Sequence, residues 1–147
     1  MIKLFDVEIR QTEDILIEGT AKGDLLISPA VEGSFSGERL KGRVLPVGAS
    51  TAYTPSAGVN IIHAPVVLKT DDGAKIFMQI DAYLHLKPEL EDRLLAGRPV
   101  SAGEYYYKGT VRFETGSPEY KWLEMKVFVC ECVIENWQTL RFAVYEV

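Results

Sequence analysis

The chain has 147 residues, of which 47% are hydrophobic and 25% are charged, a composition typical of one soluble globular domain covering residues 1–147. The formal net charge of -5 argues against a nucleic-acid partner, because surfaces that bind nucleic acid are basic. No apolar run approaches the ~20 residues of a membrane-spanning helix, and the N-terminus lacks the apolar region of a signal peptide, so we expect a cytoplasmic protein without a membrane partner.

The first third of the chain predicts short strands separated by turns. Apolar and polar residues alternate in Lys3–Gln11, which predicts the first strand, and Ile15–Thr20 and Leu25–Ser28 predict two more. Leu40–Val44 predicts a half-exposed strand. Val47–Gly58 has no periodicity, so we expect a long loop that either borders a binding site or is simply mobile.

A hairpin follows this segment. Asn60–Thr70 and Ala74–Tyr83 read as two strands joined by the turn Asp71–Gly73, where glycine suits the left-handed position. A three-residue loop aligns one set of pairs, which are Val66 with Met78, Leu68 with Ile76 and Thr70 with Ala74. The two aspartates could form a catalytic or metal-binding pair, but turn chemistry already explains both, and we favour it.

One helix is predicted near residues 88–96. Pro88 suits the first helical position, acidic residues follow in the first turn, and Gly97 is a typical stop. The leucines share one face, so we expect the helix to plug or flank one end of a sheet.

The run Glu104–Trp122 is the most informative in the chain. Residues of one parity are mostly apolar, and those of the other parity are polar, which is the signature of a strand with one face in a core. The two sets are Tyr105, Tyr107, Gly109, Val111 and Phe113 against Tyr106, Lys108, Thr110, Arg112 and Glu114. After a turn, Trp122–Val133 predicts a long strand and Thr139–Glu146 the last one.

About eight to ten short strands with one helix favour an all-β fold, a single antiparallel closed barrel around a small cavity. A two-layer sandwich is the alternative. Cys130 and Cys132 share a strand face at a spacing that disfavours a disulfide, so we expect two free thiols. With only His63 and His85 as further soft ligands, we predict no metal site and no cofactor.

Four segments carry a resemblance to a known family. They are Glu32–Phe35, Leu40–Pro46, Thr70–Gly73 and Tyr105–Leu123, and together they resemble the bacterial and fungal proteins called domain of unknown function 3237. The resemblance implies a calycin-like barrel, similar to that of lipocalins and often dimeric, and no settled reaction. That family tends to have Asp-Trp after a Gly-Ala pair, whereas this chain has Ser50-Thr51, which implies altered chemistry or a different ligand if those positions line the pocket.

Five residues are candidates for a site. Arg112 and Glu114 share a strand face with Tyr106 and could hold a carboxylate or an oxyanion, with Glu114 as acid or base. A surface ion pair or a structural pair at the barrel mouth are the alternatives. Trp122 could form a pocket wall or pack in the core. His63 could be a general base or an ordinary strand histidine.

Three functional hypotheses remain open from these residues. The first is a small-molecule-binding barrel whose ligand is apolar or aromatic with one polar handle, held by Tyr106, Arg112 and Trp122 with Glu114 beside them. The second is an enzyme in the same cavity that transfers a proton through Glu114 or His63. The third is a non-catalytic interaction domain, and in each case we expect a homodimer.

Overall fold

The computed structural model describes residues 1–147 as ten β-strands, one α-helix and two 3₁₀ segments. The strands are β1 (Ile2–Gln11), β2 (Ile15–Thr20), β3 (Gly23–Ser36), β4 (Lys41–Val44), β5 (Ala49–Ser56), β6 (Val59–Thr70), β7 (Lys75–His85), β8 (Tyr106–Thr115), β9 (Phe128–Asn136) and β10 (Thr139–Glu146). Helix α1 spans Pro88–Leu95, as its sequence predicts, and the 3₁₀ segments span Ala102–Glu104 and Pro118–Met125. No helix in the structure has both the length and the apolar character needed to cross a bilayer.

The strands form one antiparallel sheet that closes on itself. β1 pairs with β10 on one side and with β3 on the other, so the first and last strands meet. β2 continues the line of β1 along β3, and β5 continues the line of β4 between β3 and β6. β1 and β2 together fill one position of the barrel, and β4 and β5 together fill another. The ten strands therefore make an eight-stranded up-and-down barrel. The predicted closed barrel is confirmed, and the sandwich is excluded.

The hairpin register read from the sequence is also confirmed. Val66 lies opposite Met78 and Leu68 opposite Ile76, and the Thr70 amide donates to the Ala74 carbonyl at 2.9 Å. Gly73 has φ +93°, a conformation that a side chain would strain.

The predicted end of the third strand and the predicted loop Val47–Gly58 are both wrong. Strand β3 does not stop at Pro29 but continues to Ser36. Opposite Pro29 the neighbouring strand changes from β2 to β1, so the sheet needs no N–H donor from the proline there. Only its carbonyl is used on that side, accepting the Thr12 N–H at 3.0 Å. The predicted loop Val47–Gly58 contains β5, which pairs with β3 and β6 on its two sides. Pairing on both sides outweighs the weak strand propensity of this stretch.

The predicted long strand Trp122–Val133 is a third correction. Its first part belongs to the 3₁₀ segment Pro118–Met125, and the strand proper begins at Phe128. Pro118 suits the start of a helical turn, and Thr115 N–H donates to Glu124 Oε1 at 2.8 Å, which holds the segment against the end of β8.

The two ends of the barrel differ. At the end near the Asp71–Gly73 turn, which we call the closed end, the interior is filled by side chains less than 2% exposed, including Phe5, Phe128, Leu68, Met78 and Leu123. At the opposite end, which we call the open end, helix α1 buries Leu90 and Leu94 against the rim. The expectation that the helix flanks one end of the sheet is therefore confirmed, and it lies beside the part of the barrel that is not filled.

Candidate functional site

The interior of the barrel is hollow towards the open end. A cavity of about 590 Å³ lies there, within the range of volumes typical of small-molecule sites. Residues of nine strands, all except β4, form its wall, and the first turn of α1 and the β5–β6 turn border its mouth. The lining residues are Gln11, Asp14, Leu16, Asp24, Leu26, Ser28, Ser50, Ala52, Thr54, Ala57, Gly58, Asn60, Ile62, Leu84, Leu86, Pro88, Glu91, Tyr107, Ile134, Trp137 and Leu140.

One wall of the cavity is polar and internally hydrogen-bonded. Ser28 Oγ donates to Asp14 Oδ1 at 2.6 Å, and the Trp137 indole N–H donates to Asp14 Oδ2 at 2.9 Å. Gln11 Nε2 donates to Ser50 Oγ at 3.1 Å, and Ser50 Oγ donates in turn to the Ser28 carbonyl at 3.4 Å. These bonds hold the Asp14 carboxylate in one orientation at the cavity surface, because each of its oxygens accepts a fixed donor.

Strand geometry explains how these polar groups come to face inwards. Gln11 has the parity of Phe5, Val7 and Ile9, which are buried in the barrel, and it is the last residue of β1. Ser28 lies in the part of β3 where β1 gives way to β2. Gln11 and Ser28 therefore occupy inner positions beyond the apolar, filled half of the barrel.

The deeper surface of the cavity is apolar except for one hydroxyl. Ala52, Ile62, Ile134 and Leu140 contribute hydrocarbon. Tyr107 is buried, and burial raises the pKa of its phenol well above the ordinary value, because phenolate would be poorly solvated. No protein group hydrogen-bonds to the Tyr107 hydroxyl, yet no buried side-chain oxygen is left both sealed and unpaired. The hydroxyl therefore faces the cavity space.

Three of the residues predicted to form the site lie on the outside of the barrel. Tyr106, Arg112 and Glu114 occupy the exposed parity of β8, while the alternate residues of that strand face the core. Gln79 Nε2 donates to Glu114 at 3.5 Å, and Arg112 lies 3.7 Å from Asp81 across the strand. The expectation that these side chains line the interior is wrong, because the apolar parity of β8 takes the inner face.

His63 also lies on the outer face. Its Nδ1 is 2.9 Å from Asp81 Oδ1, and about half of each side chain is exposed. This cross-strand pair lies beside Arg112, so the outer wall carries a row of charged groups over β6, β7 and β8. His63 and Glu114 therefore do not face the cavity in which we expected a proton-transfer centre.

Trp122 lies at the closed end, on the side of the barrel away from the cavity. The Arg39 guanidinium stacks over its ring with 3.6 Å to the centroid. Nearby, the Tyr120 hydroxyl donates to Asp72 at 3.3 Å, and Thr70 Oγ1 donates to the same carboxylate. These contacts fasten the 3₁₀ segment to the Asp71–Gly73 turn and give the Asp72 carboxylate a structural role there.

The cysteines are free and buried on the inner face of β9. Their sulfurs are 3.9 Å apart, and burial raises the pKa of the Cys132 thiol well above its ordinary value. The prediction of two unlinked thiols holds, and both pack as small apolar groups.

A second concavity lies outside the barrel over β6 to β10, with a volume of about 840 Å³. Ile61, Tyr83 and Tyr106 border it with about half of each side chain exposed. Lys108 and Glu131 form an ion pair across it at 3.4 Å. It is an open groove on a sheet face, whereas the interior cavity is enclosed by strands on its sides.

Most of the cavity residues were not identified from the sequence. The available signal was a polar residue at an inner position near the end of a strand, as at Gln11 and Ser28. Ser50, one of the two positions that depart from the family pattern, lies in the cavity wall, while Thr51 points outwards beside His63. The departure therefore changes the lining of the cavity at one position.

Comparison with known proteins agrees with the fold and the resemblance. A protein from Clostridium acetobutylicum described as a UPF0311 protein is 30% identical over 129 residues, covering 87% of this chain and 82% of its own. The crystal structure of a conserved protein of unknown function from Rhodopseudomonas palustris superposes with a TM-score of 0.92 at 27% identity, over 99% of this chain and 95% of that one. A β-barrel-like protein from Acinetobacter baumannii AYE superposes with a TM-score of 0.84 at 33% identity, over 99% of this chain and 93% of that one.

The family described as Protein of unknown function (DUF3237) matches residues 1–147. With this match over the whole length, and with relatives of the same barrel architecture, the chain belongs to the DUF3237 family.

Proposed function

We propose that the protein binds a small amphiphilic molecule inside the open end of its barrel. The observation that carries the proposal is the 590 Å³ cavity with a polar wall on one side and hydrocarbon on the other. Such a cavity accepts an apolar body and orients it through a few polar contacts, as small-molecule sites generally do. The ligand class expected from the sequence is retained, but the residues that we assign to it are different.

The polar wall supports binding because it is held in place without a ligand. Asp14 is fixed by Ser28 and Trp137, and Ser50 is fixed by Gln11. A ligand that meets groups already oriented loses less conformational entropy than one that must order them. The solid packing of the closed end gives the same benefit, because it supports the cavity floor.

Binding of a neutral fluorescent probe such as N-phenyl-1-naphthylamine tests the proposal. The wild type is expected to enhance the probe's emission, and Ala52→Phe, which fills the cavity from β5, is expected to abolish the enhancement. Thr51→Phe is the matched control, because it adds the same ring at the next position of the strand but on the outer face. Equal probe binding by wild type and Ala52→Phe, with both folded, would overturn the proposal.

A homodimer built on the outer groove is a second candidate, favoured by the half-exposed Ile61, Tyr83 and Tyr106. Tyr83→Lys would place a charge in that interface, and Leu95→Lys on α1 is a matched control, since both parent side chains are 57% exposed. Light scattering is expected to give a dimer for the wild type and for Leu95→Lys, and a monomer for Tyr83→Lys. A monomeric wild type would remove this candidate.

A further inference from the structure

We infer that the ligand of this cavity carries a protonated amine, and that the cavity discriminates against carboxylates. The inference rests on the proposed function, because it concerns the chemistry of the same cavity. It follows from which charges line the cavity, from the hydrogen bonding of Asp14, and from the free hydroxyl of Tyr107.

The lining is charged with one sign only. Asp14, Asp24 and Glu91 contribute carboxylates, and no lysine, arginine or histidine is among the 21 lining residues. Two basic side chains of the rim elements are engaged elsewhere: Lys22 lies over the Tyr53 ring, 5.1 Å from its centroid, and Arg93 donates to Glu104 at 2.7 Å. Lys87 directly precedes α1 but is not part of the lining, so carboxylates predominate at the mouth and favour cations over anions there.

Asp14 is the carboxylate placed to bind a cation directly. It is half-buried, it receives two neutral donors, and it has no ion-pair partner in the protein. A carboxylate has about four lone-pair sites, so accepting one bond on each oxygen leaves acceptor capacity for a third donor. A partly buried carboxylate without a counter-ion is stabilised most by a cationic donor, and a ligand ammonium supplies both the charge and the hydrogen.

The hydroxyl of Tyr107 is a second observation that points to a ligand, and it does not depend on the acidic lining. The Tyr107 side chain is only 6% exposed and lines the cavity, and its hydroxyl makes no hydrogen bond within the protein. Because no sealed side-chain oxygen of the protein lacks a partner, this hydroxyl is open to the cavity, where a ligand can bond to it. A ligand held by its ammonium at Asp14 would extend its body over Ile62 and Ala52 towards this hydroxyl.

Three probes with the same naphthalene body separate the possibilities, namely 1-naphthaleneethylamine, 1-naphthaleneethanol and 1-naphthaleneacetate. We expect the amine to bind about ten- to a hundredfold more tightly than the alcohol at neutral pH, as is usual for one charge-assisted hydrogen bond. The acetate is expected to bind more weakly than the alcohol, because it meets three like charges. Isothermal titration at low salt measures all three, since added salt screens the rim charges.

Two variants assign the effect to the acidic lining. Asp14→Asn is expected to reduce the preference for amine over alcohol about tenfold, and circular dichroism checks that it folds. Glu91→Gln makes no change to the polar wall and is expected to lower amine affinity about two- to fivefold, so it tests the idea even where Asp14→Asn is unstable. Asp81→Asn, which removes an acid from the outer wall, is the control and should leave the preference as in the wild type.

The outcomes distinguish the two proposals. If the acetate binds as tightly as the amine, and Ala52→Phe abolishes both, the cavity binds ligands but the amine inference is overturned. If neither the neutral probe nor any naphthalene compound binds in a way that Ala52→Phe abolishes, the proposed function itself fails. Amine preference that survives in both Asp14→Asn and Glu91→Gln would also overturn the inference.

Discussion

Tyr105, which directly precedes β8, and Tyr107 within that strand provide a sharp test of the cavity, because only the first hydroxyl is bonded within the protein. Tyr105 and Tyr107 both point inwards at the open end of the barrel. The Ile134 N–H donates to the Tyr105 hydroxyl oxygen at 2.8 Å, whereas the Tyr107 hydroxyl has no protein partner. Tyr105→Phe and Tyr107→Phe remove the same atom from these two environments.

The structure explains why the first hydroxyl matters. Backbone pairing between β8 and β9 covers only Lys108–Val111 opposite Phe128–Glu131. Beyond this paired stretch the two strands diverge, so the N–H of the buried residue Ile134 has no backbone partner on β8. The Tyr105 hydroxyl accepts its hydrogen bond instead. Deleting the hydroxyl leaves that N–H unpaired, at a cost of about 1–2 kcal/mol, the lower part of the usual range because Tyr105 is only partly buried.

Tyr107→Phe should instead leave stability within about 0.5 kcal/mol of the wild type or raise it slightly, because no bond is lost. Urea denaturation followed by circular dichroism measures both differences, and a melting scan should lower the midpoint of Tyr105→Phe alone by about 3–6 °C. A loss in Tyr107→Phe equal to that in Tyr105→Phe would refute the reasoning, because it would mean that the Tyr107 hydroxyl is bonded within the folded protein.

Three further predictions concern other parts of the barrel. Asp72 raises the pKa of Glu119 above its ordinary value of 4.5 by hydrogen bonding and charge repulsion, so ionisation of Glu119 destabilises the fold as pH rises through the raised pKa. Glu119→Gln should therefore melt higher than the wild type above that pKa and no differently below 4.5. Gly109→Ala should cost about 1–3 kcal/mol in urea, because its Cβ would collide with the Asp81 carbonyl oxygen of β7, while Gly116→Ala, with open space around it, should cost far less. Glu114→Gln should leave binding of the neutral probe unchanged, because this side chain faces outwards.

Contrary results would be informative in each case. A constant difference between Glu119→Gln and the wild type across pH would show that the two carboxylates are not coupled. An unchanged urea midpoint for Gly109→Ala would mean that β7 and β8 can separate locally. A lost probe signal in a folded Glu114→Gln protein would return the site to the outer wall.

Local patterns were enough to predict the barrel and one of its hairpins. Each depends on neighbouring residues: alternation along a strand, or a turn at Asp71–Gly73 whose glycine takes a positive φ. The same rule also assigned the faces of β8, since Val111 and Phe113 belong inside and Arg112 therefore belongs outside. The hypothesis that Arg112 and Glu114 line a pocket requires the polar face of β8 to be the inner one, and in the structure it is the outer one.

The cavity could not be assembled from local patterns. Its polar wall joins residues that are distant in the chain, and the bond from Trp137 to Asp14 spans 123 positions. Only closure of the barrel brings β1, β3, β5 and the β9–β10 turn to one place. Motifs shared with the family pointed elsewhere, because Thr70, Asp72 and Tyr120 fasten the closed end.

The contrast between the two ends of the barrel should be measurable as a gradient of local stability. β7 is paired on both sides, and its residues Ile76, Met78 and Ile80 have no exposed surface, so their amides should exchange with solvent only on global unfolding. β2 pairs with β3 alone, and its apolar side chains are half-exposed beside the cavity mouth. Its amides should exchange faster by about two orders of magnitude or more, through local opening. Native-state hydrogen exchange measures both, and equal protection of β2 and β7 would mean that the open end is as rigid as the closed one. A cavity that must admit a ligand requires the opposite, because β2 is the bordering strand that can move without breaking the barrel.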